Sequence, residues 1–227
     1  MPAALAAAHI GHQIEHSSAL MGFLFGAAIG LAVGCEFLEP TSPQFIADAV
    51  SWGAIGARNA ESQVHRQLAS GLSMPVGFKN ATDGDVQIAV DGCITAAAEH
   101  TFFGVDSAGR AAAVATAGNP DCHVILRGGR GGPNYDDSSV AAALDVVTTA
   151  GLEPRLMIDA SHGNSGKSHV RQAEVVREIG ASIAAGNAGV AGIMMESFIV
   201  AGAQKPAPSG LTYGQSVTDA CIDWETT

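Results

Sequence analysis

Six short apolar runs, at 35–38, 53–57, 76–79, 122–127, 155–159 and 192–196, alternate with longer stretches of helical periodicity. This alternation narrows the fold more than any other feature, because repeated βα units build a parallel sheet whose crossover helices cover its faces. Helices are expected at 42–51, 61–71, 83–98, 138–151 and 167–186, where capping residues and glycines mark acceptable ends. The stretch 101–117 breaks the pattern, since Asp106-Ser107-Ala108-Gly109 interrupts it, and it reads as a β-hairpin inserted before the fourth strand. With 227 residues, 47% of them apolar, the chain can bury a sizeable core, which excludes a disordered protein.

Polar residues close these runs: Glu36, Arg58, Lys79, Arg127, His162 and Glu196 each fall at or just past a strand end. In a (β/α)₈ barrel or an open α/β sheet, that C-terminal edge carries the functional site.

A net charge of −11 argues against nucleic acid or an anionic membrane as partner, so any phosphate must be bound locally. Arg58, Lys79 and Arg127 supply such a local field. A mix of forked guanidinium and compact ammonium suits a small anion bearing phosphate and carboxylate, unless these cations pair with Glu36, Glu61 or Asp159. Gly128-Gly129-Arg130-Gly131-Gly132 either admits a ligand to the backbone or is simply a turn. His162, Glu196 and Asp219 offer one imidazole and two carboxylates, a set suited to Mn, Fe, Co or Zn rather than Mg or Ca. The alternative is a core histidine and two surface acids. Cys35, Cys93, Cys122 and Cys221 show no CxxC spacing and read as reduced thiols of a cytoplasmic protein, with Cys221 and the Cys122-His123 pair in packing roles.

Residues 1–34 are set apart as an apolar leader, because they contain no Lys or Arg and one acid, Glu15. The uncharged run 19–35 has glycines four apart at Gly22, Gly26, Gly30 and Gly34, a spacing that suits close membrane helices. It is at the lower limit of length for a span and has no flanking positive cluster, so a membrane-tethered protein is the lesser reading. The missing positive n-region argues against a secretory signal.

Trp52-Gly53-Ala54-Ile55-Gly56-Ala57-Arg58, Glu61-Ser62-Gln63-Val64-His65-Arg66, Pro75-Val76-Gly77-Phe78-Lys79-Asn80, Ile125-Leu126-Arg127-Gly128-Gly129, Met157-Ile158-Asp159, Ser161-His162, Glu196-Ser197 and Thr218-Asp219-Ala220-Cys221 follow one another in a familiar order. From Glu36 to the end, the chain resembles the type I class of 3-deoxy-D-arabino-heptulosonate 7-phosphate synthases. The resemblance implies an α/β fold, a (β/α)₈ barrel, here with the third to eighth strands and without the last helix, over residues 35–227. It implies a transferase that condenses phosphoenolpyruvate with erythrose 4-phosphate at the entry to the shikimate pathway, with a homo-oligomer as its assembly. Arg58 and Arg127, helped by the Ala57 amide, would hold the phosphoenolpyruvate phosphate, and Lys79 its carboxylate. His162, Glu196 and Asp219 would be ligands of a divalent metal that polarises the aldehyde, and Glu36 would position the attacking water. The catalytic set is then Lys79, Glu36 and His162.

Two family segments are absent: Gly-Pro-Cys-Ser, which carries a cysteine metal ligand, and Lys-Pro-Arg-Thr, which serves erythrose 4-phosphate. Cys35 is not a substitute, because it adjoins the segment matching the third strand. Weak metal binding and little synthesis are therefore expected of this chain, and an inactive phosphoenolpyruvate-binding fragment is the alternative. The segments around Pro43, Gln44, Leu68, Leu72, Ser73 and Phe102 match the family's region for aromatic amino acid effectors, or are interface packing.

Overall fold

The computed structural model describes Gly26 and residues 28–227. These form a mixed α/β fold in two compact units. The first contains the described residues up to Ala81 together with Val86–Val124, and the second Thr82–Asp85 with Ile125–Thr227.

In the first unit the elements are β1 (Gly34–Glu36), α1 (Pro43–Ile46), β2 (Trp52–Ile55), α2 (Gln63–Ser70), β3 (Val76–Lys79), α3 (Gln87–Ala96), β4 (His100–Val105), β5 (Ala111–Thr116) and the start of β6 (Cys122–Leu126). The sheet is ordered β1-β2-β3 and continues to β6. Its first three strands are parallel, with Cys35 opposite Gly53 and Ala54 opposite Gly77. Phe37, Ile55, Val76 and Phe78 fill the core beneath Ala89, Val90, Cys93 and Ala96 of α3, whose spacing places them on one helical face. The hairpin forms as expected: β4 and β5 are antiparallel, and Asp106 Oδ1 accepts the amides of Ala108 and Arg110 at 2.9 Å each.

Two expected helices are shorter in the structure. The segment 42–51 yields only α1 and a 3₁₀ turn at Ala47–Ala49, because no residue of either is buried and no packing extends them. The segment 83–98 becomes helical only from Gln87, since Gly84 has φ +111° and Asp83 Oδ1 accepts the Asp85 amide, turning the chain first.

In the second unit the end of β6 is followed by α4 (Asp137–Thr149), β7 (Leu156–Asp159), α5 (His162–Ser165), α6 (His169–Ala184), β8 (Val190–Met194), β9 (Val200–Ala203) and β10 (Gln215–Ser216). The sheet runs from β6 through β7 to β8, and β7 and β8 are parallel. Left-handed residues Gly166 and Lys167 delay α6 to His169, two residues later than its periodicity suggests. Strand β8 ends at Met194 rather than at 196, which leaves Glu196 beyond the sheet. The parallel pair of β9 and β10 has no counterpart in the strands read from the sequence.

Among the described residues no helix is long and apolar enough to cross a membrane. The run 19–35 lies largely outside them.

Asp136 caps α4, accepting the amides of Ser138 and Ser139 at 3.1 and 3.0 Å. Hydrogen bonds from the Ser138 and Ser139 side chains, then from the Ser139 amide, lower its pKa to about 2. A carboxylate whose folded pKa lies below the unfolded value of about 3.9 contributes stability above that value and loses it as pH falls toward the folded one. Asp136→Ala is expected to lower stability by about 1 kcal/mol near neutral pH. That difference should shrink between about pH 4 and pH 2, as read from urea melts over this range.

Candidate metal centre and anion-binding residues

The first unit presents Glu36, the Gly56-Ala57-Arg58 turn and Lys79 at the C-terminal ends of three parallel strands, so these residues share one edge. Glu36 is the last residue of β1, and its carboxylate lies against Gly56, where any side chain would collide with Glu36 Oε1. The turn is closed by the Asn59 amide donating to the Gly56 carbonyl at 2.9 Å, and it leaves Arg58 exposed. Lys79 ends β3 with only 4% of its surface exposed, an uncommon depth for an ammonium group. Arg66, from the same motif region, is a structural tie: its guanidinium donates to the carbonyls of Ala60 and Ile88 at 2.8 and 3.3 Å.

Cys35 precedes Glu36 in β1. Burial, and then the Glu36 charge, push its thiol up to about 11, and it donates weakly to the Glu36 carbonyl. In the same unit Pro43, Gln44, Leu68, Leu72, Ser73 and Phe102 all line one cavity of about 650 Å³.

The second unit holds Arg127 just past β6, His162 just past β7, Glu196 beyond β8, and Asp219. One ligand atom from each of His162, Glu196 and Asp219 lies within 4.8 Å of the others. The His162 Nε2 atom is 3.7 Å from Glu196 Oε1. Lys167 Nζ pairs with Asp219 Oδ1 at 3.1 Å. Cys221 turns its thiol to the Asp219 carbonyl, and burial followed by the Glu196 charge raises its pKa.

The imidazole is oriented from behind. Asp159, 2% exposed at the end of β7, accepts the Ser161 amide and hydroxyl on Oδ1 at 2.9 and 2.6 Å. Its Oδ2 is 2.9 Å from His162 Nδ1. An ionised carboxylate only accepts, so Nδ1 donates to Asp159, which leaves Nε2 as the ring nitrogen facing Glu196. His162 itself has φ +49°, a conformation that non-glycine residues hold only under constraint. Part of that constraint comes from the Gly163 amide, which donates to the Arg127 carbonyl at 2.9 Å. Buried Asn164 adds to it, donating to the carbonyls of Leu126 and Asp159 at 3.2 and 2.8 Å and accepting the Asn134 amide at 2.8 Å.

The glycine run after Arg127 divides in two. A Cβ at Gly128 would stand 2.5 Å from the Gly163 carbonyl carbon, and one at Gly129 would stand 2.5 Å from Asp83 O and Gly84 Cα. Backbone therefore packs on backbone there, while Gly131 and Gly132 face open space. Sequence reasoning missed Asn164 and Gln172 as supports of the site. The available signal was a polar residue at a position facing the core, as Gln172 is in α6.

The donor set fits a divalent transition metal: one borderline nitrogen, two carboxylates, and an imidazole held at Nδ1 by Asp159. Fold and site together define an α/β protein with a group of candidate metal ligands past its strand ends. The chain belongs to the DAHP synthetase I family, whose family model matches residues 8–227, beginning inside the segment 1–34.

It is 60% identical over 207 residues to a phospho-2-dehydro-3-deoxyheptonate aldolase of Corynebacterium glutamicum, covering 88% of this chain and 56% of that protein. It is 51% identical over 201 residues to the Tyr-sensitive aldolase of that name from Escherichia coli K12, covering 88% of this chain and 56% of that protein. A solved phospho-2-dehydro-3-deoxyheptonate aldolase from Francisella tularensis superposes with a TM-score of 0.86 at 47% identity, over 89% of this chain and 59% of that one. The chain thus spans a little over half the length of the curated relatives it matches.

Proposed function

We propose that the chain serves the condensation of phosphoenolpyruvate with erythrose 4-phosphate to 3-deoxy-D-arabino-heptulosonate 7-phosphate and phosphate, on a partial (β/α)₈ barrel. The observation that carries this reading is the gathering of His162, Glu196 and Asp219 within 4.8 Å, in a chain of this family. Arg58 and Arg127, with the Ala57 amide, take the phosphate of phosphoenolpyruvate, and buried Lys79 takes its carboxylate. A guanidinium can pair two phosphate oxygens at once, whereas the ammonium of Lys79 acts as a compact charge. Glu36, packed against Gly56, orients the water that adds at C2 after C3 has bonded to the aldehyde carbon; the C–O bond to phosphate then breaks.

His162, Glu196 and Asp219 hold the metal, which is Mn, Fe, Co or Zn in this reading. When bound, it supplies Lewis acidity toward the aldehyde oxygen. The chain's own residues contribute orientation and preorganised charge. The four cysteines are free thiols, which supports a cytoplasmic setting, and self-association of copies belongs to the same reading.

Phosphate release by the 227-residue chain, with both substrates and Mn²⁺, tests this function. Release is expected to require erythrose 4-phosphate and to be slow, because neither the Gly-Pro-Cys-Ser nor the Lys-Pro-Arg-Thr segment is present. Release independent of the aldehyde would overturn the reading. Arg127→Ala is expected to weaken phosphoenolpyruvate binding about tenfold or more in calorimetry, since a hydrogen bond to a charged group contributes roughly 1.5–3 kcal/mol. Unchanged affinity would remove Arg127 from the site.

A further inference from the structure

Gln172 is 1% exposed and shares the buried stripe of α6 with Val175 and Ile179. A primary amide at such a position is costly unless both its ends are hydrogen-bonded. Here both ends go to a single residue: Nε2 donates to the Glu196 carbonyl at 2.9 Å, and Oε1 accepts the Glu196 amide at 2.6 Å. This residue is one of the three whose ligand atoms gather within 4.8 Å as candidate metal ligands.

The place matters because the β-ladder has already ended. Strand β8 stops at Met194, whose carbonyl accepts the Ala160 amide at 2.9 Å, and Glu196 lies two residues further on. Gln172 therefore gives Glu196 the donor and acceptor that a neighbouring strand would otherwise supply. The Glu196 carbonyl also accepts the Ile222 amide at 3.0 Å, three residues past Asp219. One carbonyl thus joins α6, the end of β8 and the segment carrying the second carboxylate. Gln172 is itself placed by the first turn of α6, where its amide donates to the Ser168 carbonyl at 2.9 Å and Ser168 Oγ caps the helix.

We propose that Gln172 is a positioning residue of the metal centre, gripping the backbone of Glu196 so that the Glu196 and Asp219 carboxylates face His162 Nε2 together. This rests on the reading of His162, Glu196 and Asp219 as metal ligands. The grip acts at the backbone because a glutamate carboxylate sits at the end of three rotatable bonds, and a shift of the backbone carries the whole side chain away from its partners. An amide suits the task better than a carboxylate or a hydroxyl, since only the amide matches the N–H and C=O of one peptide residue at the same time.

The test is a Mn²⁺ titration of the 227-residue chain, read from the electron paramagnetic resonance of free and bound ion, beside thermal unfolding of the metal-free protein. Gln172→Met, similar in length but without the amide, is expected to weaken Mn²⁺ binding by about 10–100-fold, the range for residues that orient ligands. It should also alter the spectrum of the bound ion. Gln172→Asn keeps donor and acceptor on a stem one methylene shorter, so its bonds re-form only with Glu196 displaced; affinity should fall while more of the thermal stability is kept.

A merely structural role would lower the melting temperature but leave the affinity and spectrum of the folded protein unchanged, which overturns the proposal. Should neither variant fold, hydrogen exchange in the unaltered chain decides: the Glu196 amide is expected to be protected, and fast exchange overturns the grip. Mn²⁺ binding that is absent from the unaltered chain, or that survives His162→Ala, overturns the metal-centre reading and the positioning role with it. Binding that needs His162 but ignores Gln172 overturns the positioning role alone.

Discussion

His162→Ala should weaken Mn²⁺ binding by more than about a hundredfold, beyond the range typical of residues that only orient ligands. It removes the one nitrogen donor from a group otherwise made of the two carboxylates Glu196 and Asp219. The loss should exceed that of an ordinary surface histidine because this side chain is already prepared for ligation. Asp159 Oδ2 holds Nδ1 at 2.9 Å, and the backbone is fixed at φ +49°. Little reorganisation remains to oppose binding in the native protein, and none of that preparation survives in the variant. Titration followed by the free Mn²⁺ signal measures the effect, and an affinity within threefold of the unaltered chain would show that the ion, if bound, sits elsewhere.

Gly128→Ala should cost about 2–5 kcal/mol, the sum of a left-handed conformation at roughly 1–2 kcal/mol and an overpacking penalty of roughly 1–3 kcal/mol. Gly128 has φ +72°, and its added Cβ would meet backbone rather than a flexible side chain, at 2.5 Å from Gly163 C and 2.6 Å from Asn164 N. Backbone cannot swing aside as a side-chain tip can. The Gly128 amide also donates to Asn134 Oδ1 at 2.7 Å, so a shift to relieve the clash would break the link that leads through Asn134 to Asn164. Since His162 adjoins Gly163, weakened metal binding should accompany the lost stability. Urea denaturation gives the stability, and a midpoint unchanged by the substitution would contradict this packing.

In the first unit, the half-buried thiol of Cys35 illustrates how position outweighs residue type. Its place beside the segment matching the third strand already argues against a ligand role. Its half-buried side chain lies beside the Glu36 charge, where the thiolate is disfavoured and the thiol bonds to a carbonyl instead.

The β-strands were largely legible in the sequence, because apolar runs bounded by turn residues report burial directly. Observed strands at Val76–Lys79, Cys122–Leu126 and Leu156–Asp159 lie within or match the runs read from it. The hairpin was equally plain from its Asp-Ser-Ala-Gly turn. Arg58, Lys79, Arg127, His162, Glu196 and Asp219 could be named as candidates from their places after those runs and from the family resemblance. Their arrangement could not. Helix ends moved where a local hydrogen bond or a left-handed residue outweighed periodicity, as at Gly84, Gly166 and Lys167.

The alternating α/β pattern, the family and the chemical types of donor available follow from composition and order along the chain. Tertiary packing instead commits Gly128 and Gly129 to backbone-on-backbone contact and ties the Gly163 amide behind His162 to the Arg127 carbonyl. It likewise decided that Gln172 faces Glu196, 24 residues away. Each of these depends on a contact between segments distant in sequence, at separations of a few ångströms that no local periodicity encodes.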